Sequence, residues 1–119
     1  MNFDSGLDGD VVVVDLTGDF VARTVEQFRA QMTKLIEKNV RFVVLELSKV
    51  TFMDSSGLGA CMAAHKAFQE KSGALVFAKP SEAVAKIFRV TRADQKLRVA
   101  PTRQDAVKSA RELAAGRPS

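Results

Sequence analysis

The chemistry available to this chain is concentrated in one segment, Val50-Thr51-Phe52-Met53-Asp54-Ser55-Ser56-Gly57-Leu58-Gly59. A carboxylate and two hydroxyls stand directly ahead of a helical pattern, so Asp54 or Ser55 is placed to cap a helix. A serine hydroxyl displayed at such a point also suits a phosphate. Free backbone N–H groups and the positive end of the helix dipole face any anion there. The glycines leave open backbone that a partner approaches closely. Capping and switching are compatible roles for the same few residues.

Enzymatic alternatives fail on residue inventory. His65 is the single histidine and Cys61 the single cysteine, so no histidine-based metal cluster can be assembled. Gly57-Leu58-Gly59 begins like a dinucleotide fingerprint, but Met62 stands where the third glycine belongs. Met53 replaces the first glycine of a nucleophile elbow, and the chain has no phosphate loop of the G-x-x-x-x-G-K-[ST] type. On a helix starting at Ser55, His65 lies about 15 Å away along the axis, too far to act as its base. His65 reads as a packing or rim residue and Cys61 as a core residue.

Those residues must be held by the surrounding elements. Residues 11–16 (VVVVDL) are β-branched and continuous, the pattern of a buried strand, with Gly18 at its exit. A weaker strand over residues 2–7 precedes it, with Asp8-Gly9 as the hairpin signal. Thr24 with Gln27 three residues on has the spacing of a capping box, followed by Val25, Phe28, Met32, Leu35 and Ile36 at helical spacing. A strand over 41–47, a helix from about 55 to 71, a strand over 74–78 and a short helix opened by Pro80-Ser81 follow. Residues 97–99 read as an edge strand, and Thr102 with Asp105 caps a last helix. The order predicts an α/β fold: a small mixed, mostly parallel sheet of four to five strands flanked by about four helices.

With 119 residues the chain fits one domain, taken as 1–115 with a frayed tail at 116–119. No apolar run approaches a membrane span, the N-terminus does not resemble a signal peptide, and one cysteine excludes an internal disulfide; a cytoplasmic setting is expected. Residues 1–20 carry five acids and no base, while the remainder holds all 18 bases. Lys86, Arg89, Arg92, Lys96, Arg98 and Arg103 are spread singly, and the chain has no tyrosine or tryptophan to stack on nucleobases. Solvated faces account for them, and no nucleic-acid partner is expected.

The segment TFMDSSGLGA resembles the signature of the anti-sigma factor antagonists, the bacterial single-domain members of the STAS family. In these a strand ends in an aromatic, an apolar residue and then D-S-[ST]-G-L-G. The resemblance extends to a Gly-acid-apolar turn after the second strand, a Thr-started helix and a Pro-Ser helix start after the fourth strand. It implies a STAS-type domain and a role in partner switching. The unmodified protein binds an anti-sigma factor that is also a serine-protein kinase; phosphorylation by ATP inactivates it, and a metal-dependent serine phosphatase resets it. The acceptor corresponds to Ser55, flanked by Asp54 and Ser56. Asp19, Thr24, Gly57, Leu58, Pro80 and Ser81 are the corresponding partner-binding positions. The resemblance implies a monomeric binding module and substrate with no cofactor, no metal and no catalytic residue. A constitutive STAS scaffold or accessory subunit in a signalling or transport complex is the alternative; it has no need of an intact acceptor. One position departs from the family: its usual Gly-Glu-Leu-Asp is Gly18-Asp19-Phe20-Val21 here, so Val21 stands in place of an aspartate beside the acceptor.

Overall fold

The computed structural model describes residues 1–116. Five strands, β1 (Asn2–Asp8), β2 (Val11–Phe20), β3 (Phe42–Met53), β4 (Ala74–Ala78) and β5 (Arg98–Ala100), form one sheet in the order β1-β2-β3-β4-β5. The helices are α1 (Val25–Glu37), α2 (Ser55–Glu70), α3 (Glu82–Val90) and α4 (Arg103–Ala115). β1 runs antiparallel to β2, and every later pair is parallel. Right-handed crossovers between successive parallel neighbours place all their connecting helices on one face. Residues of α1, α2 and α3 accordingly share one core with Phe20, Leu45 and Phe77. Among the described residues no strand follows α4, which covers the opposite face through Ala106, Val107 and Ala110 against Val13, Val44 and Val76. The fully buried side chains include Phe20, Phe28, Phe68, Phe77 and Phe88. Each contributes roughly 1.5–3 kcal/mol of transfer free energy.

Most element boundaries match the sequence pattern, and the exceptions cluster at the functional end of the sheet. β2 does not end at Gly18. That glycine takes φ +111°, which glycine tolerates, and the strand continues to Phe20. β3 likewise runs six residues past Leu47, and its register against β2 shifts twice. Each shift adds a residue to β3, so Leu47, Val50 and Met53, three apart, all reach the same core. Simple alternation is lost there, which hides the strand from a period-two reading. The hairpin turn is Gly9-Asp10, closed by Asp8 opposite Val11, and β5 starts one residue later than expected. Of the expected tail, Gly116 follows α4, and residues 117–119 lie outside the described part.

Cys61 is buried in the core, and burial pushes its thiol up to about 12. Among the described residues no helix is long and apolar enough to cross a membrane.

His65 on α2 is only partly buried, with its Nδ1 enclosed and unpartnered among the described residues. Burial, and then the positive charge of Arg98, lower its pKa below the ordinary 6.5. The unfolded chain therefore takes up this proton more readily than the folded one, and the destabilisation grows as pH falls through 6.5 towards the lower folded value. Urea unfolding at pH 7.5 and at pH 6 is expected to show a larger stability loss for wild type than for His65→Asn. Equal losses would contradict this assignment.

Candidate functional site

β2 and β3 end side by side, with Phe20 opposite Met53, and the chain leaves both strands at the carboxyl edge of the sheet. At that edge Asp54 is the N-cap of α2. Its Oδ1 accepts from Gly57 N–H at 2.9 Å and its Oδ2 from Ala22 N–H at 3.2 Å. Its own N–H donates to the Phe20 carbonyl at 3.2 Å. One residue thereby ties the start of α2 to the loop after β2. The Gly57 N–H is the principal cause holding the Asp54 carboxyl below the usual carboxylate range; partial desolvation opposes it, and the Ala22 N–H adds to it.

Ser55 occupies the first position of α2, exposed, and its hydroxyl has no hydrogen-bond partner among the described residues. Ser56 is exposed as well, and Gly59 lies on the same side of the helix, three and four residues on from the two serines. Asp54, not either serine, is the cap. The Ser55 hydroxyl is therefore free for another use. Leu58 is half-buried against the core.

Gly57, expected as open backbone, is enclosed. A Cβ there would run into the Phe20 carbonyl oxygen and lie 3.0 Å from Met53 Cγ. Gly59 is the open one, with nothing within 4 Å of an added Cβ.

The loop after β2 is braced from within. Asp19 accepts from the Thr51 hydroxyl at 2.7 Å and pairs with exposed Arg23 at 3.6 Å. Thr24 does not form the expected capping box. It is buried in a helical backbone conformation and makes no side-chain cap bond. Its Oγ1 instead accepts from Val21 N–H at 3.0 Å and lies 2.9 Å from the Asp19 carbonyl and 3.0 Å from that of Val21. Thr24 shapes the loop from beneath, and Val21, half-buried, contributes its backbone to the turn.

Ser81 caps α3 by accepting from Val84 N–H at 3.3 Å, and its hydroxyl donates to the Val50 carbonyl at 2.6 Å. Val50 lies four residues before Asp54, about 13 Å back along a strand. Pro80 and Ser81 thus sit at the same end of the sheet but a tier below Ser55. Thr51 stands within the motif, but its bond to Asp19 and the Ala22 N–H, which complete the site, escape a sequence reading. A threonine in a strand and a backbone donor in a loop carry no distinguishing pattern.

The comparisons with known proteins agree with this architecture. A family model of the STAS domain matches residues 4–106. The chain is 36% identical over 64 residues to an anti-sigma F factor antagonist of Paenibacillus polymyxa, covering 53% of this chain and 55% of that one, so the match spans about half of that relative. It is 30% identical over 80 residues to the anti-sigma F factor antagonist of Lysinibacillus sphaericus, covering 66% of this chain and 68% of that one. In fold it is similar to SpoIIAA, a Bacillus cell fate determinant solved in its phosphorylated form, with a TM-score of 0.68 at 24% identity over 91% of this chain and 98% of that one.

The two helix-start glycines make opposite predictions. Gly57→Ala is expected to destabilise by about 1–3 kcal/mol, because the methyl group collides with fixed backbone. Gly59→Ala is expected to stabilise by about 0.5–1 kcal/mol through helix propensity. Denaturant titration of both decides it; equal effects would show that the Phe20 carbonyl does not press on α2. On sheet order, capped helix start and family match together, the chain belongs to the STAS domain family.

Proposed function

We propose that this protein is an anti-sigma factor antagonist that works by partner switching, with Ser55 as its phospho-acceptor. The observation that carries the proposal is the Ser55 hydroxyl: exposed, without a partner among the described residues, and at the start of a 16-residue helix already capped by Asp54. The relatives named as anti-sigma F factor antagonists support the role, and the match of Asp54-Ser55-Ser56 to the family signature supports the register. In this reading the unmodified protein binds an anti-sigma factor that is also a serine kinase. A metal-dependent serine phosphatase restores the hydroxyl. The protein itself is substrate and binding module.

The contact surface in this reading is the exposed face of Ser55, Ser56 and Gly59 with the half-buried edge of Leu58, together with Asp19 and Arg23 on the neighbouring loop. Thr24 and Gly57 support it from inside, and Pro80 with Ser81 form its outer margin. A phosphate on Ser55 adds about −1.5 to −2 charges. The helix N-terminus offsets part of that charge in the free protein, so the cost falls on the interface. Asp54 beside Ser55 adds a like charge, while Asp19 is paired with Arg23.

An unpaired charge desolvated at an interface costs roughly 2–5 kcal/mol. At about 1.4 kcal/mol per decade, binding weakens from about 30-fold to several thousand-fold. With the kinase, ATP and magnesium, mass spectrometry is expected to show one added phosphate on wild type and Ser56→Ala and none on Ser55→Ala. Calorimetric titration is expected to show the weakening for the phosphorylated form, and a comparable loss for folded Gly59→Arg. Label on Ser55→Ala would refute the register. Equal affinities with and without phosphate would refute the switch and favour a constitutive scaffold.

A further inference from the structure

The structure leaves an apolar recess uncovered between the end of β3 and the outer side of α3. Phe52, Ala83, Lys86, Ile87, Val90 and Thr91 line a groove of about 370 Å³. Val90 is 71% exposed and Phe52 53% exposed, two of the three large hydrophobic side chains that the described residues leave in water. On α3 Val84 and Phe88 are buried in the core and Ile87 packs against it, while Val90 is left outside. An exposed valine facing an exposed phenylalanine from another element is the kind of patch that marks an interaction site.

The surroundings of the groove carry one predominant sign. Residues 79–98 contain six bases and two acids, Glu82 and Asp94. Arg23, Arg29, Arg103 and Arg111 all pair with carboxylates. Lys86 lines the groove, and Arg89 adjoins it one turn on, along the flank of α3 that also carries Glu82; neither has an ion-pair partner among the described residues. Five of the fourteen acids lie in residues 1–20; of these Asp19 stands opposite Phe52, but its carboxylate is engaged by the Thr51 hydroxyl and by Arg23.

We propose that this recess docks an acid-flanked apolar segment of a protein partner. One or two of its apolar side chains enter between Phe52 and Val90, and its carboxylates meet Lys86 and Arg89. A concave apolar floor receives an inserted side chain, whereas a lipid surface is met by a protruding apolar ridge. That floor offers a phosphodiester backbone only the Lys86 ammonium, and the chain has no tyrosine or tryptophan to stack on nucleobases. The groove borders the Ser55 surface through Phe52, but its lining lies on α3, so docking there does not require an unmodified serine.

The test uses the full chain labelled with ¹⁵N and a synthetic peptide of roughly 14 residues, with leucines at i, i+3, i+4 and i+7 and glutamates elsewhere. Saturable amide shifts are expected at Phe52 and at residues 86–91. They should require about tenfold more peptide with Val90→Asp or with the Lys86→Glu/Arg89→Glu pair, and should weaken when salt is raised from about 0.05 to 0.5 M. Circular dichroism checks that the variants are folded, and a peptide with lysines in place of the glutamates should produce no shifts. Absence of saturable shifts at these amides, or shifts that persist unchanged in both variants, overturns the proposal. Shifts at the same amides with phosphatidylglycerol vesicles or a single-stranded oligonucleotide, but not with the acidic peptide, overturn it in favour of that other ligand.

Discussion

The functional end of this protein depends on the two-handed carboxylate of Asp54. Oδ1 holds the first turn of α2 through Gly57 N–H, and Oδ2 holds the loop after β2 through Ala22 N–H. Neither bond would form if β3 ended where its apolar run ends. The two extra residues that β3 takes up against β2 carry Met53 into the core beside Phe20 and deliver Asp54 to the gap between strand and loop. Gly57 then allows α2 to start against the Phe20 carbonyl, where any side chain would collide. Charge, register and close approach converge on one result: a helix start held in place, with the Ser55 hydroxyl on its outside.

That arrangement separates two jobs that a single serine often combines. A serine at an N-cap spends its oxygen on backbone donors, and phosphorylating it would disturb the cap. Here the cap is an ionised carboxylate, which makes stronger hydrogen bonds than a hydroxyl, and its lowered pKa reflects the donors converging on it. Asp54 remains charged through the neutral pH range, and in the proposed switch the cap does not depend on the state of Ser55. The loop across from it is similarly self-sufficient, with the Thr24 hydroxyl and the Asp19 carboxylate both engaged inside the protein. A surface preorganised in this way can lose a partner through charge alone.

Much of the frame was legible from sequence because its signals are local. β4 is an unbroken apolar run, legible to the residue, and the hydroxyls of Ser81 and Thr102 cap the helices they precede. Thr24 shows where local spacing misleads. It has the residue types of a capping box, but burial turns its hydroxyl back into the preceding turn. The far half of β3 is hidden in the sequence because its core residues repeat every three positions, a consequence of register shifts that only pairing with β2 creates. Gly57 and Gly59 are indistinguishable in the sequence, yet Phe20 encloses one and leaves the other bare. The groove between Phe52 and Val90 joins residues 38 positions apart and had no sequence signature at all.

The central claim is that phosphorylation acts on a preformed surface without remodelling the fold. Comparing backbone amide exchange in the unmodified and Ser55-phosphorylated protein tests it most directly. The account predicts altered protection confined to the loop at residues 19–24 and the first turn of α2, with β3, β4 and the remainder of α2 unchanged. Changes spreading through β4 or α4 would contradict it and show that the phosphate switches the protein by refolding.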